Sequence, residues 1–442
     1  MKLDKLILAV LGIMVSNLLI YSLVSIAQEK IVVSWWYESP EAEYEEVLRN
    51  RFVKSFETAH PNIQIDLVFK EDPFTTARTA VAVGAGPDII PTYVSDAVFY
   101  LKAGEFLLPL DKYIEKFDWK KVIFPWALDI GRYKGKLYSL PLTYETMVLW
   151  YNKTLFDRNG WLSPQNKDEL YQVSEKMEAQ GIMPFAHGNA DWRGTNEWFV
   201  GILYSNYAGA DNVYKALTQQ IRWDDPVFVE AIELLNDIFQ RGWFNGLDYY
   251  SLGWDDLLGS LAEGKSGMHM GGTWWFHGIP DRFDETDNNW AWARLPVLGE
   301  GVTPVLDLGI GFSVAINAAS KHPDAAAEVL NWMFNDPKRA ALIMHEYPGE
   351  WIVPIRIPPE AFPAEFEPRQ TQALQTMADV FEAGNYGYTT WTFWPPRTMK
   401  YIIEGIERVW GKEITPAEYM AEQQRIFAEE SKEGSVPPLP PR

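Results

Sequence analysis

Tryptophan is the unusual residue of this chain, at 20 of 442 positions, with 21 Tyr and 23 Phe beside it. Several stand in short runs among polar neighbours. These are Trp35-Trp36-Tyr37-Glu38, His187-Gly188-Asn189-Ala190-Asp191-Trp192, Gly271-Gly272-Thr273-Trp274-Trp275, and Thr389–Trp394 between Gly387 and Pro395-Pro396. Such runs suit recognition of a ring with apolar C–H faces and a polar hydroxyl edge, as in a sugar. A flat indole covers the face, at about 0.5–1.5 kcal/mol beyond buried area if aromatic pairs are the guide. Carboxylates, amides and imidazoles take the hydroxyls. Micromolar affinity needs about 8.2 kcal/mol, so three stacked rings supply a part and hydrogen bonding and burial the rest.

Large aromatics also build cores. Trp332 falls within the helical stretch Ala325–Phe334, and Trp119, Trp126, Trp150, Trp161, Trp223 and Trp410 sit where packing suffices. Consecutive strand residues point to opposite faces, so at least one ring of Trp35-Trp36-Tyr37 should meet a cleft at the strand end. The order of preference is Trp36, Tyr37, then Trp35. Glu38 at the same rim suits two sugar hydroxyls, or a cap for the following helix. Tyr93, Ser95 and Asp96 follow another strand, and Asp96 equally suits a helix start. His187, Asn189, Asp191 and Trp192 form a polar loop whose polar groups would all need partners inside a core. Arg397 either pairs with a local carboxylate or meets the ligand.

Catalytic and nucleic-acid readings fare worse. With 39 basic and 60 acidic residues the formal charge is −21, the wrong sign for neutralising phosphates, so no nucleic-acid partner is expected. Cysteine is absent, which removes disulfides, thiolate metal sites and cysteine nucleophiles. No nucleophile elbow, zinc-protease signature or phosphate-binding glycine loop occurs. Asp281–Asn289 lacks the spacing and glycine of a calcium loop. Six scattered histidines form no metal constellation, so neither metal nor cofactor is expected. Asp224-Asp225 and Asp255-Asp256 can be imagined as a glycosidase pair, but adjacent acids ahead of helical patterns are more often caps and solvated turns.

The elements that must position these residues alternate. Ile31–Ser34 is a compact apolar strand, and Glu41–Ala59 follows with near-helical apolar spacing. His60-Pro61-Asn62 stops that helix, and Ile63, Ile65, Leu67 and Phe69 alternate like a strand. Phe74–Val83 is a second helix ended by Gly84-Ala85-Gly86-Pro87, with Ile89-Ile90 as the next strand. Repeated β-α-β units imply an α/β fold with a largely parallel sheet whose ligands bind beyond the strand carboxyl ends. Residues 1–27 read as a leader: Lys2 and Lys5, an apolar stretch from Leu6 to Val24, then small residues at Ser25-Ile26-Ala27. Export as a cleaved signal peptide is expected, with an uncleaved anchor as the alternative, because the stretch approaches the roughly 20 residues of a membrane span.

Ordered segments along the chain resemble the bacterial extracellular solute-binding proteins of carbohydrate ABC importers, with maltodextrin-binding protein a distant relative. They include Phe56-Glu57-Thr58-Ala59-His60-Pro61-Asn62-Ile63, Gly84-Ala85-Gly86-Pro87-Asp88-Ile89, Tyr133–Pro141 continuing to Trp150-Tyr151-Asn152-Lys153, Glu263-Gly264-Lys265-Ser266-Gly267-Met268, Gly272-Thr273-Trp274, and Ser320–Ala326. Ser163–Lys167 departs from the family pattern at a surface turn, and no lipobox cysteine is present. The resemblance implies a periplasmic binding protein type II fold, two α/β lobes joined by a multi-crossover hinge with the cleft between them. Its lobes would comprise residues 28–140 plus 308–352 and 141–307 plus 353–430. Residues 431–442, with Pro437-Pro438, Pro440-Pro441 and no apolar periodicity, read as a flexible tail. The resemblance also implies a sugar-stacking ring at Trp274 or Trp275, a late one at Trp391 or Trp394, and a cleft-facing Glu145. The function so implied is an exported, monomeric, non-enzymatic receptor for a di- or oligosaccharide at the periplasmic or extracellular face of the membrane. It would hand its ligand to membrane permease subunits. The alternatives are an exported glycoside hydrolase, or a same-family receptor for a ligand such as glycerol phosphate.

Overall fold

The apolar runs pair as parallel strands. In a computed structural model that describes residues 30–39 and 42–441, apart from the side chains of Ser95 and Asp96, Ile31–Glu38 runs alongside Ile63–Lys70 in register from Ile31 with Ile63 to Glu38 with Lys70. On its other edge it meets Ile89–Thr92 at Trp35 and Ile89. The helical stretch from Ala42 to Ala59 contains a π-helical segment, Leu48–Val53, and buries Leu48, Phe52 and Phe56. Helix Pro73–Ala82 starts where the Asp72 carboxylate accepts the Thr75 N–H at 2.9 Å, satisfying one of the unpaired donors of the first turn.

Strand Leu306–Ile316 completes this first sheet from far along the chain. It lies antiparallel to Ile89–Thr92 and to Ser139–Glu145, and its first residues pair in parallel with Tyr386–Tyr388. A second sheet orders Trp290–Ala293, Met147–Asn152, Ser266–Gly272 and Met183–Phe185. The chain therefore changes sheets at Thr146, between a strand ending at Glu145 and one starting at Met147. Residues 141–145 and 306–307 thus pair within the first sheet, a few positions beyond the lobe limits expected from the resemblance. Helices Pro323–Phe334 and Pro337–Glu346 pack on the first-sheet side, and Pro226–Gln240, Pro396–Trp410 and Pro416–Lys432 pack together on the other.

Residues 431–441, within the stretch expected to be a flexible tail, make contacts with the rest of the chain. Lys102 Nζ donates to the Glu433 carbonyl at 2.6 Å and lies 3.1 Å from Ser435 Oγ. Pro437 and Pro440 are buried, and Val436 and Leu439 pack on the main core. A proline-rich segment is already extended and loses little further entropy on docking, so four apolar side chains suffice to hold it. The leader at 1–27 lies outside the described residues; among those described, no helix is long and apolar enough to cross a membrane.

Candidate functional site

The place where the chain changes sheets carries a carboxyl group and an indole. Glu145 ends the strand Ser139–Glu145, opposite Gly309. A Cβ at Gly309 would come 2.8 Å from the Trp391 ring and 3.0 Å from Glu145 Cγ, and one at Gly311 would come 2.4 Å from Thr143 Oγ1. The glycines leave room for both side chains to lie flat on the strand. Trp391 Nε1 donates to Glu145 Oε1 at 2.9 Å, while Oε2 makes no hydrogen bond to a described residue.

Threonines hold that indole in place. Trp391 sits in the single helical turn Thr390–Phe393. The Thr389 hydroxyl donates to the Leu308 carbonyl at 2.9 Å, Thr392 Oγ1 accepts the Ile310 N–H at 2.9 Å, and Thr390 Oγ1 reaches the Glu197 carbonyl at 3.3 Å. The turn is thereby fixed to both a first-sheet strand and a second-lobe helix.

Other indoles continue from Trp391. Trp274 meets it edge to face at 6.0 Å, and Trp198 lies 5.0 Å beyond Trp274. Trp198 stacks on Trp254 at 5.7 Å and tilts against Trp192 at 5.4 Å. Trp391, Trp274 and Trp254 are half-buried, Trp198 is covered, and Trp192 is 47% exposed. A carboxyl group beside accessible ring faces can bind a molecule with apolar faces and hydroxyl edges. Among the described residues no group of three or more acids or histidines could hold a metal ion.

Residues 37–340 match the family described as bacterial extracellular solute-binding protein. The chain belongs to that family. It is 24% identical to an uncharacterized ABC transporter extracellular-binding protein of Pyrococcus horikoshii, over 79% of each chain. It is also 24% identical to the multiple sugar-binding protein of Streptococcus mutans, over 69% of this chain and 71% of that one. In fold it is similar to a structure named chitin oligosaccharide binding protein, with TM-score 0.75 and 19% identity, over 91% of this chain and 99% of that one.

In this solute-binding protein the sequence candidates separate. Glu145, Trp274 and Trp391 come together, with Trp192 reached through Trp198. Trp36, Glu38 and Tyr93 stand at strand ends of the first lobe. Lys70 Nζ lies 4.3 Å above the half-buried Trp36 ring, and Tyr93 stacks on Phe74 at 4.1 Å. Glu38 is exposed, but the surrounding protein and Asp72 raise its carboxyl above the ordinary value. Asp96 falls within helix Val94–Gly104, its side chain outside what is described.

Seven candidates are taken up by packing or local pairing. Tyr37 is buried with Trp35, against Phe312 at 5.0 Å, because the strand turns 35 and 37 to one face and 36 to the other. Trp275 is buried at 5.2 Å from Trp254, and Trp394 lies 5.1 Å from Trp223 with no exposure. His187 is fully buried and accepts the Met270 N–H at 3.3 Å, and the Asn189 amide reaches Asn196 and Glu407, each at 3.3 Å. Part of the polar loop is thus paired, by Met270, Glu407 and Asn196, while the buried His187 Nδ1 has no hydrogen-bond partner among the described residues. Arg397 pairs with Glu433 at 2.7 Å on the surface. Asp191 caps a helix by accepting the Trp254 N–H at 2.6 Å and stays exposed. Sequence reasoning missed Trp198 and Trp254; the only signal was Gly253 ahead of Trp254, a weak one.

Burial gives three acids raised values. Glu197 is pushed up to about 8 against a Thr390 hydrogen bond, Glu145 to about 7 against Trp391, and Asp307 to about 7 against Ser205. Burial lowers His269 to about 4 and holds His187 well below its ordinary value, with His269 adding to the effect. A raised acid keeps a proton in the folded state that the unfolded chain has released. Its contribution to stability therefore falls as pH rises from the ordinary to the shifted value. The histidines contribute the reverse slope, but only below their ordinary 6.5. Thermal stability is thus expected to fall between about pH 6.5 and 8, and Glu197→Gln to remove much of that fall. Calorimetric melting across that range measures it; identical slopes in the two proteins would refute the assignment to Glu197.

Proposed function

We propose that this solute-binding protein captures a neutral saccharide at Glu145, Trp274 and Trp391 and delivers it to the membrane permease of an ABC importer. The Glu145–Trp391 pair beside Trp274, at the change of sheets, carries the reading. A carboxyl oxygen left open next to two accessible indole faces matches a sugar's hydroxyl edge and C–H face. Trp36, Glu38 and Tyr93 on the first lobe supply the opposing contacts when the lobes close. Closure follows because only the closed state makes both sets of contacts. The sugar-binding names of relatives support the ligand class. The protein acts outside the cytoplasmic membrane as a monomer and leaves its ligand chemically unchanged.

Calorimetry with maltose, trehalose, xylobiose, N,N′-diacetylchitobiose and glycerol 3-phosphate, followed by chromatography of the recovered ligand, tests this. At least one saccharide is expected to bind saturably, quench or enhance tryptophan fluorescence, and return intact. Hydrolysed product would make the protein a glycosidase. Binding of glycerol 3-phosphate alone would replace the ligand class.

A further inference from the structure

The segment that follows helix Pro416–Lys432 touches both lobes. The helix closes at Gly434, in the left-handed region at φ 66°, where the Gly434 N–H bonds the Ser431 carbonyl and the Ser435 N–H the Glu430 carbonyl, each at 2.9 Å. This paired ending needs glycine and fixes the direction in which the chain leaves the helix. On the second-lobe side the joint is anchored several times over. At the start of helix Pro396–Trp410 the Arg397 N–H donates to the buried Glu430 carboxylate at 2.8 Å, and the Thr398 N–H and hydroxyl donate to its other oxygen at 2.7 Å each. The Arg397 guanidinium holds Glu433 at 2.7 Å. The tie to the first lobe is a lysine. Lys102, in the last turn of helix Val94–Gly104, donates at 2.6 Å to the Glu433 carbonyl, which the helix ending leaves free, and lies 3.1 Å from Ser435 Oγ.

We propose that residues 433–441 form a strap between the lobes, additional to the crossings of the chain itself, which holds them together in the arrangement described and releases at Lys102 when they part. The first-lobe helix Val94–Gly104 also packs on the turn Thr390–Phe393 that carries Trp391. A rotation that draws this turn from the helix therefore also draws Glu433 from Lys102. In the same arrangement the lobes meet beside Trp274, where a Cβ on Gly349 of the first lobe would come 2.4 Å from the Trp274 carbonyl oxygen. The two ends of the strap differ in the way a release needs. Glu430 is buried, and breaking its bonds would leave a desolvated carboxyl group without partners. Lys102 is exposed on a flexible stem, so water replaces its bonds with little loss. Beyond Ser435, Val436 and Leu439 pack on the main core while Pro437 and Pro440 are buried, and the prolines keep the segment extended. A contact made in one arrangement and absent from the other shifts the population between them by that difference. The strap thus biases the ligand-free protein toward lobes held together, whatever the ligand is.

Double electron–electron resonance on the ligand-free protein tests the strap. Cysteine is absent, so paired nitroxides can be placed at exposed positions on the two lobes, Val83→Cys with Leu162→Cys and Val83→Cys with Leu247→Cys. Relative to the parent, Lys102→Ala and deletion of residues 436–442 are each expected to move at least one of the two inter-lobe distance distributions to longer and broader values. Lys102→Arg keeps a donor for the Glu433 carbonyl and is expected to retain the parental distributions. Lys102 is exposed, so its truncation leaves the core intact should the deletion lower stability. Unchanged or shorter distances in both pairs, in Lys102→Ala and in the deletion, overturn the strap. The readout contains no ligand, so that outcome leaves the saccharide reading standing.

Discussion

Trp391→Ala is expected to weaken saccharide binding by at least tenfold while the protein stays folded. The substitution removes a half-buried ring face and the only described hydrogen-bond donor to Glu145. A hydrogen bond to a charged group contributes about 1.5–3 kcal/mol, and an aromatic contact about 0.5–1.5 kcal/mol. Taken together, the low ends of the two come to about 2 kcal/mol, above the roughly 1.4 kcal/mol that equals one decade of affinity. Trp391→Phe should recover part of the loss, because it restores the ring without the N–H. The Glu145 carboxyl should also rise further in both variants, since the Trp391 bond is what opposes its desolvation. Normal affinity in Trp391→Ala would place the ligand elsewhere.

Trp394→Ala should do the opposite. Three residues along, this indole has no exposure, stacks 6.1 Å from Tyr204 and lies 5.1 Å from Trp223. Emptying such a site costs about 3–5 kcal/mol through lost burial and the cavity left behind. Chemical denaturation should show that loss, while the fraction that remains folded keeps its saccharide affinity. Lost binding at unchanged stability would return Trp394 to the cleft. The two residues part because the helical turn closes at Phe393 and Trp394 leaves it in an extended conformation, φ −95° and ψ 145°. Residues three apart share a face only while the helix continues.

The same local uncertainty explains the other misplacements. At Trp35-Trp36-Tyr37 alternation was legible, but which parity faces inward was not, because a parallel sheet is covered by helices on both faces. Phe52, Phe312 and Trp351 gather around Trp35 and Tyr37, and none of them is near in sequence. The polar loop from His187 to Asn189 looked like solvent-facing surface. Met270 pairs with His187 Nε2 and Glu407 with the Asn189 amide instead, and a buried polar group is tolerable wherever such a partner exists. Trp198 and Trp254 lay in helical patterns, where a ring facing a cleft and one facing a core have the same spacing.

By itself the sequence determined the α/β alternation, the early strands and helices, the ordered family landmarks, and the aromatic and acidic character of the proposed binding groups. All of these are carried by local periodicity, turn chemistry and composition. Tertiary structure alone decided which of two neighbouring indoles is open and which is packed, and that Glu145, Trp391 and Trp274 meet. Those three are separated by 246 and 117 positions along the chain. Their meeting depends on Leu306–Ile316 bringing Gly309 and Gly311 against Glu145, a long-range register that no local pattern encodes.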